Sequence, residues 1–347
     1  MKRKTATMKD IADQLGLSVN AVSLALKDRP GVSDETRRQV IEIAQNIGYE
    51  IKQAKQAKPA GPARVPGSKN ICVLLRHRFF RDFRFYGRIL LGIEEAAKKD
   101  GYDVIISSFE AEEVPASVQE NRVSGVIVVG SIDDNFLARL MEYNIPIVLA
   151  DHQSNSHQLD CVVSDNYFGA YRMTVELIRR GYTRIGFFGD REYTPSTRDR
   201  FLGVLKALQD HLKLKGFRES VDYLERFSAC GDIENYVIQQ DGAHLLELYR
   251  NIPEKPEALV CSNDELAILL MQTLQKNGIS VPEDVGVAGF DDIEPGRMVT
   301  PPLTTVHVQK KLMGQKAVER LLHRIACPDE IPVKLALSVT IVERESV

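Results

Sequence analysis

The feature that most restricts the fold is an alternation of short apolar runs with longer amphipathic segments, from residue 71 to residue 288. Apolar runs of this kind are typical of buried parallel strands, and the amphipathic segments are typical of the helices between them. The alternation therefore predicts doubly wound α/β structure. Because it occurs in two similar sets, we expect two lobes with a cleft between them. The predicted strands are 71–75, 104–108, 126–129, 147–150, 162–164, 185–188, one near Phe227, 259–261 and 285–288.

Residues 7–48 have the pattern of three short helices. Thr7 and Asp10 resemble a capping box, and Gly16 is a residue type that ends helices. Ser18 and Ser33 are placed to cap the second and third helices. Two helices joined by so tight a turn predict a helix-turn-helix module, in which the second helix enters the major groove of DNA.

The outward face of that second helix carries groups that suit the edges of DNA bases. Asn20 can pair with adenine through two hydrogen bonds, and Val19 can contact a thymine methyl group. Residues 1–64 carry 12 Lys and Arg against 7 Asp and Glu, although the whole chain has a net charge of −3. We therefore expect this basic end to bind double-stranded DNA. The expected contacts are Thr7, Ser18, Val19, Asn20, Ser23, Leu24, Lys27, Arg29, Lys52 and Lys55.

The run M-K-D-I-A-D-Q-L-G-L-S-V-N-A-V-S-L-A-L-K-D-R-P-G-V-S resembles the head of the LacI (lactose repressor) family of bacterial transcription regulators. The resemblance continues through V-S-D-N-Y-F-G-A, S-T-R-D-R-F-L-G, S-N-D-E-L-A and V-P-E-D-V-G-V-A-G-F-D-D. It implies an all-α helix-turn-helix head followed by an α/β periplasmic-binding-protein-like core of two doubly wound parallel-sheet lobes. It also implies that the chain crosses between the lobes three times, that an effector binds in the cleft, and that a homodimer binds DNA.

The sequence patterns give the boundaries of the head, the linker and the core, and the resemblance to the LacI family implies the division of the core into lobes. Residues 1–49 form the head, 50–70 a linker, and 71–347 the core, with lobe one at 71–161 and 293–324 and lobe two at 162–290 and 325–347. The linker is rich in Pro, Gly and Lys, and it lacks the P-N-x-x-A-R-x-L pattern by which the family inserts a Leu into the minor groove. We expect Lys52, Lys55 and Lys58 to contact phosphates instead.

Polar residues directly after strands are the candidates for the ligand site, because ligands of open α/β sheets bind beyond the carboxyl ends of the strands. Asp151, Asn263 and Asp291 have such positions, Arg200 begins a helix after the Gly189-Asp190 loop, and the effector-binding residues of the family fall on all four. Their donors and acceptors suit sugar hydroxyls, although Asn263 and Asp291 could alternatively serve only as caps. Further candidates are Arg198 and two aromatic residues of the loop after the first strand, Phe79 and Phe85.

The same loop contains Arg76-His77-Arg78, which suits a phosphorylated or carboxylated effector, the alternative being ordinary exposed charge. We expect His152 and His157 to be surface residues, and we expect neither a metal nor a cofactor. The five scattered cysteines, the N-terminal M-K-R-K and the lack of an apolar run of about 18 residues predict a cytoplasmic protein outside the membrane.

These features predict a sequence-specific regulator, a repressor, whose affinity for a palindromic operator is controlled by a sugar or sugar derivative. The alternatives are a ligand sensor with weak DNA binding and a regulator that responds to a nucleobase or nucleoside. An enzyme is not expected, because the sequence has no G-x-x-x-x-G-K-[ST] loop and no nucleophile elbow.

Overall fold

A computed structural model of the chain describes residues 7–26, 32–47, 68–81, 83–109 and 113–347. The chain forms two compact units, 1–63 and 64–347. Among the residues described, no helix is long and apolar enough to cross a membrane.

The first unit is a small three-helix module. Its helices are α1 (Met8–Leu15), α2 (Val19–Leu26) and α3 (Asp34–Asn46). They enclose a core of small and branched apolar side chains contributed by all three helices, namely Ile11, Ala12, Val22, Ala25, Val40 and Ala44. Capping side chains at the helix ends add to this small core.

Those helix ends match the expected caps. The Thr7 backbone N–H donates to Asp10 Oδ2 at 2.7 Å, and the Asp10 N–H donates back to Thr7 Oγ1 at 3.4 Å, which confirms the capping box. Gly16 ends α1 at φ +66°, where a side chain would be strained. Ser18 Oγ accepts from the N–H of Ala21 at 3.1 Å and so caps α2. The turn between the two helices is therefore fixed by residues 16–18.

The second unit contains every strand found in the described residues. They are β1 (Asn70–Arg76), β2 (Asp103–Phe109), β3 (Gly125–Val129), β4 (Ile147–Ala150), β5 (Asp160–Ser164), β6 (Ile185–Phe188), β7 (Ala258–Cys261), β8 (Gly286–Ala288), β9 (Thr305–His307), β10 (Lys334–Leu337) and β11 (Thr340–Val342).

Helices connect most of these strands, as the alternation predicts. They are α4 (His77–Arg81), α5 (Tyr86–Lys99), α6 (Ala116–Gln119), α7 (Asp134–Met141), α8 (Asn166–Arg179), α9 (Pro195–His211), α10 (Phe217–Arg226), α11 (Glu234–Ile238), α12 (Gly242–Arg250), α13 (Asp264–Lys276), a 3-10 turn (Glu294–Arg297) and α14 (Lys310–Ala326).

The strands form two parallel sheets, which define two lobes. The first lobe is built on a six-stranded sheet in the order β10-β5-β4-β3-β1-β2, and the second on a three-stranded sheet in the order β6-β7-β8. β9 and β11 form a separate antiparallel pair. Apolar side chains fill both sheets, because each is covered by helices on its faces. The two-lobe α/β architecture is confirmed.

Three details differ from the expected elements. β5 and β10 pair with each other in the first lobe, although residues 162–164 and 334–337 were expected in lobe two. The strand expected near Phe227 is reduced to a single bridge between Phe188 and Ala229, because α10 extends to Arg226. The helix expected at 234–250 is broken into α11 and α12, with Gln240 at φ +56° between them.

Two helices of the first lobe, α5 and α14, cross in direct backbone contact. A Cβ on Gly92 would lie 2.0 Å from the carbonyl oxygen of Lys311, and one on Gly314 would lie 2.1 Å from that of Ile89. Only glycine permits so close an approach. The crossing joins a helix from the start of the core to one near the end of the chain, and both pack on the larger sheet.

Candidate functional site

A buried arginine organises the second lobe at the ends of its strands. The side chain of Arg200, from the second turn of α9, is 6% exposed. Its Nη2 donates to Asp291 Oδ1 at 3.1 Å, its Nε to Asn166 Oδ1 at 2.9 Å, and its Nη1 to the carbonyl of Ser262 at 2.5 Å. The guanidinium also lies 3.8 Å above the centre of the Phe290 ring. The structure therefore brings together two of the predicted residues, Arg200 and Asp291.

The two predicted aspartates occupy a backbone region that favours glycine. Asp151 has φ +57° directly after β4, and Asp291 has φ +118° after β8. Such conformations cost about 1–3 kcal/mol each and are retained mainly where a site requires them. The Asp151 N–H donates to the carbonyl of Val162 at 2.9 Å, which anchors the turn to β5. The backbone conformation of each aspartate therefore fixes the position of its side chain near the end of a strand.

Asn263 is a helix cap, as the alternative interpretation held. Its Oδ1 accepts from the N–H of Leu266 at 2.9 Å and starts α13. The side chain is half-buried, and its Nδ2 has no hydrogen bond within the described part of the chain. Because the cap uses only the oxygen, the amide N–H groups remain available to a ligand.

Arg198 does not join the Arg200 cluster. It is exposed and forms an ion pair with Glu192, in the loop before α9. Arg198 lies two positions before Arg200 in α9, so its side chain points to a different side of the helix. A shared role with Arg200 therefore has no support in the contacts.

The two predicted aromatic residues are packed. Phe79 is 9% and Phe85 6% exposed, and both contact Tyr86, with ring centres 4.7 and 5.0 Å apart. Phe79 also covers Gly130 at the end of β3, where a Cβ would lie 2.8 Å from the ring. Since little ring surface is exposed, polar groups would dominate the recognition of a ligand here.

Two polar residues of this region were missed by the sequence analysis. Asn166 starts α8 just after β5, and Lys310 starts α14 just after β9. The Lys310 side chain is 7% exposed, its Nζ donates to the carbonyl of Asp291, and burial lowers its pKa. It also lies 5.7 Å from the centre of the Phe85 ring, so it connects the two lobes. The strand-end rule could have found Asn166, which follows the predicted strand 162–164, but not Lys310, because the sequence predicted no strand before it.

Two buried carboxyl groups beside the cluster hold their protons more tightly than usual. Burial, and then the charge of Asp291, raises the pKa of Asp264 to about 8. Burial raises the pKa of Glu234 to about 7, although Ser262 Oγ and the Asp190 N–H donate to it at 2.9 and 3.1 Å. Of these three carboxyl groups, Asp291 is the one that accepts directly from Arg200.

His152 was expected at the surface, and this prediction was wrong. The residue is 6% exposed at the end of β4, and burial lowers the pKa of its imidazole to about 4. The sequence pattern gave a polar loop at this point and did not reveal that the first residue after Asp151 turns inward. His157 is half-buried, with Nε2 3.1 Å from the carbonyl oxygen of Asp134.

Among the described residues, one group has ligand atoms close enough to share a metal ion. His323, Cys327 and Glu330 have such atoms within 4.8 Å of one another at the end of α14. His323 Nε2 already lies 2.6 Å from Glu330 Oε2, and Arg320 lies 3.7 Å from the same carboxylate. Glu330 thus already has two partners within the protein, His323 and Arg320.

The head presents the expected face of α2. Val19 is 45% exposed and Asn20 is also exposed, whereas Val22 and Ala25 on the opposite face are buried. Ser23 and Leu24 are half-buried. The Thr7 hydroxyl is engaged as a donor to Asp10 Oδ2 at 2.6 Å, so Ser18 is the better placed of the two caps to donate to a phosphate. The expected contacts Lys27, Arg29, Lys52 and Lys55 lie outside the described residues.

Comparison with known proteins agrees with this arrangement. Residues 7–50 match the model of the bacterial regulatory proteins of the lacI family, and residues 174–347 match that of the periplasmic binding protein-like domain. The HTH-type transcriptional repressor PurR of Glaesserella parasuis is 28% identical over 335 residues, 94% of this chain and 92% of the relative.

Solved structures share the fold. The complex of the transcriptional regulator CelR with cellobiose has a TM-score of 0.68 at 22% identity, covering 99% of this chain and 100% of its own. The lac repressor dimer bound to operator and the anti-inducer ONPF has a TM-score of 0.62 at 23% identity, with 99% of each chain covered. With its helix-turn-helix head and its two-lobed core, the chain belongs to the LacI family of bacterial regulatory proteins.

Proposed function

We propose that this protein is a transcriptional repressor whose affinity for its operator is set by a small polar ligand, a sugar or sugar derivative, bound between the lobes. The observation that carries the proposal is the exposed face of α2, with Val19 and Asn20 outward and Val22 and Ala25 buried, in one chain with the Arg200–Asp291 cluster. The relatives are repressors rather than enzymes, which supports a role without catalysis.

The proposed ligand site consists of the groups at the strand ends. Arg200 uses three of its five N–H groups within the protein and keeps two for a ligand. Asn263 adds its amide donors, and the carboxylates of Asp151 and Asp291 add acceptors. Directional donors and acceptors with little exposed aromatic surface suit a polyhydroxylated ligand better than a flat nucleobase, which would need a stacking ring. The cellobiose complex of CelR supports this choice.

We propose that the active species is a homodimer. Two heads would place two copies of α2 in successive major grooves about 10 base pairs apart, so the operator would be a palindrome. The ligand would act by favouring one arrangement of the lobes, and the typical coupling is about 1–3 kcal/mol in operator affinity. The related lac repressor structure is a dimer on its operator, which supports the proposal.

The experiment is selection of bound sequences from randomised duplex DNA by the full chain, repeated with Asn20→Ala. We expect an enriched palindrome, and we expect Asn20→Ala to lose preference at one base pair of each half-site, at a cost of about 1–3 kcal/mol. Gln39→Ala is the matched control, since it removes an exposed amide from α3. Salt-dependent binding without any enriched sequence would instead favour the alternative of a sensor with weak DNA binding.

A further inference from the structure

Two arginines at the end of β1 lack the carboxylate partners that other arginines near the cleft have. In the second lobe, Arg191 pairs with Glu225 at 3.4 Å, and Arg198 and Arg200 pair with Glu192 and Asp291. In the described residues neither Arg76 nor Arg78 forms an ion pair, and the buried Nε of Arg76 has no hydrogen bond. A buried guanidinium nitrogen without an acceptor is costly, so Arg76 calls for an anion, and the exposed Arg78 can reach the same anion from the solvent side.

A second unpartnered nitrogen lies at the same edge of the sheet. β1, β3 and β4 are neighbours in the parallel sheet, so Arg76 and His152 both lie at its carboxyl end. His152 is 6% exposed, and its Nε2 has no hydrogen bond to the described residues. The charge of Arg76 adds to burial in lowering the pKa of His152, which places the two groups near each other. An oxyanion between them could accept from both nitrogens.

Arg78 faces the second lobe. Its guanidinium carbon lies 4.6 Å from the centre of the Phe79 ring and 5.5 Å from that of Tyr193, which follows β6. The flat face of the guanidinium is thus held between aromatic rings, while its N–H groups form no hydrogen bond with the described residues. The charges of Arg78 and Arg76 both oppose the rise in the pKa of Tyr193 that burial causes, so both cations lie near the same phenol.

The acidic groups nearby are occupied by donors of the protein. Asp134, which is near His152, accepts from the hydroxyls of Ser154 and Ser156 at 2.6 and 2.5 Å. Of the two acids near Tyr193, Glu234 accepts from Ser262, and Asp190 accepts from the N–H of Glu192 at 2.8 Å. Because hydroxyl and amide groups of the protein donate to these carboxylates, the carboxylates do not pair with Arg76 or Arg78, and both arginines can bind another anion.

We propose that Arg76 and Arg78, together with His152, form an oxyanion site in the cleft, and that the effector carries a carboxylate or a phosphate group. The effector is then a sugar acid or a sugar phosphate, held by its hydroxyls at Arg200 and Asp291 and by its anionic group at the first lobe. This inference rests on the proposed function, because it names the class of ligand for the same cleft. Guanidinium groups bind both anions through paired hydrogen bonds.

The first test uses inorganic phosphate as the probe. The melting temperature of the full chain is measured in phosphate and in chloride at equal ionic strength, for wild type and for Arg76→Gln/Arg78→Gln. We expect phosphate to stabilise the wild type and the control Arg218→Gln, an exposed residue of α10, and the effect to be lost in the double variant. Because phosphate contacts to the head are the same in all three proteins, the difference isolates the cleft. Equal phosphate effects in all three would overturn the proposal.

The second test compares matched ligands by isothermal titration: glucose, glucuronate and glucose 6-phosphate, and the corresponding galactose set. We expect one anionic member to bind the wild type at least about tenfold more tightly than its neutral counterpart, and the double variant to lose this preference. The member that binds decides between carboxylate and phosphate.

The outcomes separate this inference from the proposed function. A neutral sugar that binds best, with an affinity unchanged in the double variant, would overturn the oxyanion site and leave the proposed function intact. Arg200→Gln should weaken neutral and anionic sugars alike, because Arg200 serves the hydroxyls. If no sugar of either set binds, the phosphate experiment alone decides for or against the oxyanion site.

Discussion

Replacing Arg200 with glutamine should destabilise the core by about 3–5 kcal/mol, the usual cost of breaking a buried ion pair by removing one partner. The side chains of Arg200 and Asp291 are only 7% and 13% exposed, so solvent screens their attraction weakly. The change removes three hydrogen bonds and the guanidinium charge that pairs with the Asp291 carboxylate. Since whole proteins are stable by about 5–15 kcal/mol, the loss is a large fraction of the total.

The assay is urea unfolding of the full chain, with wild type, Arg200→Gln, Asp291→Asn and the double variant compared. If the uncompensated Asp291 charge dominates the cost, the double variant should be more stable than the sum of the single effects predicts, by about 0.5–3 kcal/mol. Arg198→Gln is the matched control, because this arginine is 48% exposed and should cost less than about 1 kcal/mol. A loss below about 1 kcal/mol for Arg200→Gln, or strict additivity with Asp291→Asn, would refute the electrostatic argument.

Two further predictions concern the helix cap of the head and the acid stability of the core. Thr7→Ala should destabilise α1 by about 1 kcal/mol, which would be measured as faster hydrogen exchange of the amides of α1. Thr7→Ser retains the capping hydroxyl, so the exchange rates of these amides should not change. Burial alone would raise the pKa of Asp292, but hydrogen bonds from Arg344, His307 and Arg297 lower it to about 2. The roughly 2 kcal/mol that this ionisation contributes is present above about pH 4 and lost as the pH falls towards 2. The stability advantage of wild type over Asp292→Asn should narrow in that range, and a gap that stays constant would contradict the assignment.

Local patterns in the sequence were sufficient for most of the elements and for two candidate polar residues that the structure brings together. The apolar runs predicted most of the strands of both sheets, because buried parallel strands need continuous apolar side chains. The rule that ligands lie beyond strand ends located Arg200 and Asp291, which the structure joins at 3.1 Å. The caps Thr7 and Ser18 were found because their chemistry depends only on residues within three positions.

Properties that depend on distant parts of the chain were not predictable in this way. The sheet that β10 joins is decided by its pairing with β5, some 170 residues earlier in the numbering. The burial of His152 and of Phe79 depends on which helices cover the end of the sheet. A short loop has no hydrophobic periodicity from which this burial could be predicted. Asn263 could not be assigned one role from the sequence, because helix capping and ligand binding were treated as alternatives. In the structure the Oδ1 atom caps α13, and the amide N–H groups of the same side chain remain available to a ligand.

The first lobe cannot finish folding until late in translation, because α14, which crosses α5 at Gly92 and Gly314, and β10 both lie near the end of the sequence. Elements from residues 310–337 complete the first lobe, whereas β6, β7 and β8 of the second lobe come from residues 185–288. On the ribosome, the lobe that begins first therefore has to wait for nearly the last residues to emerge, with β5 meanwhile an uncovered sheet edge open to pairing with other chains. The three strands of the second sheet are contiguous in sequence, but its edge strand β8 also waits for the end of the chain, since the N–H of Val287 donates to the carbonyl of Ser346 at 2.8 Å and Ser346 Oγ donates to the carbonyl of Val287 at 2.6 Å. Translation that stops before β10 would therefore leave the sheets of both lobes with an unpaired edge.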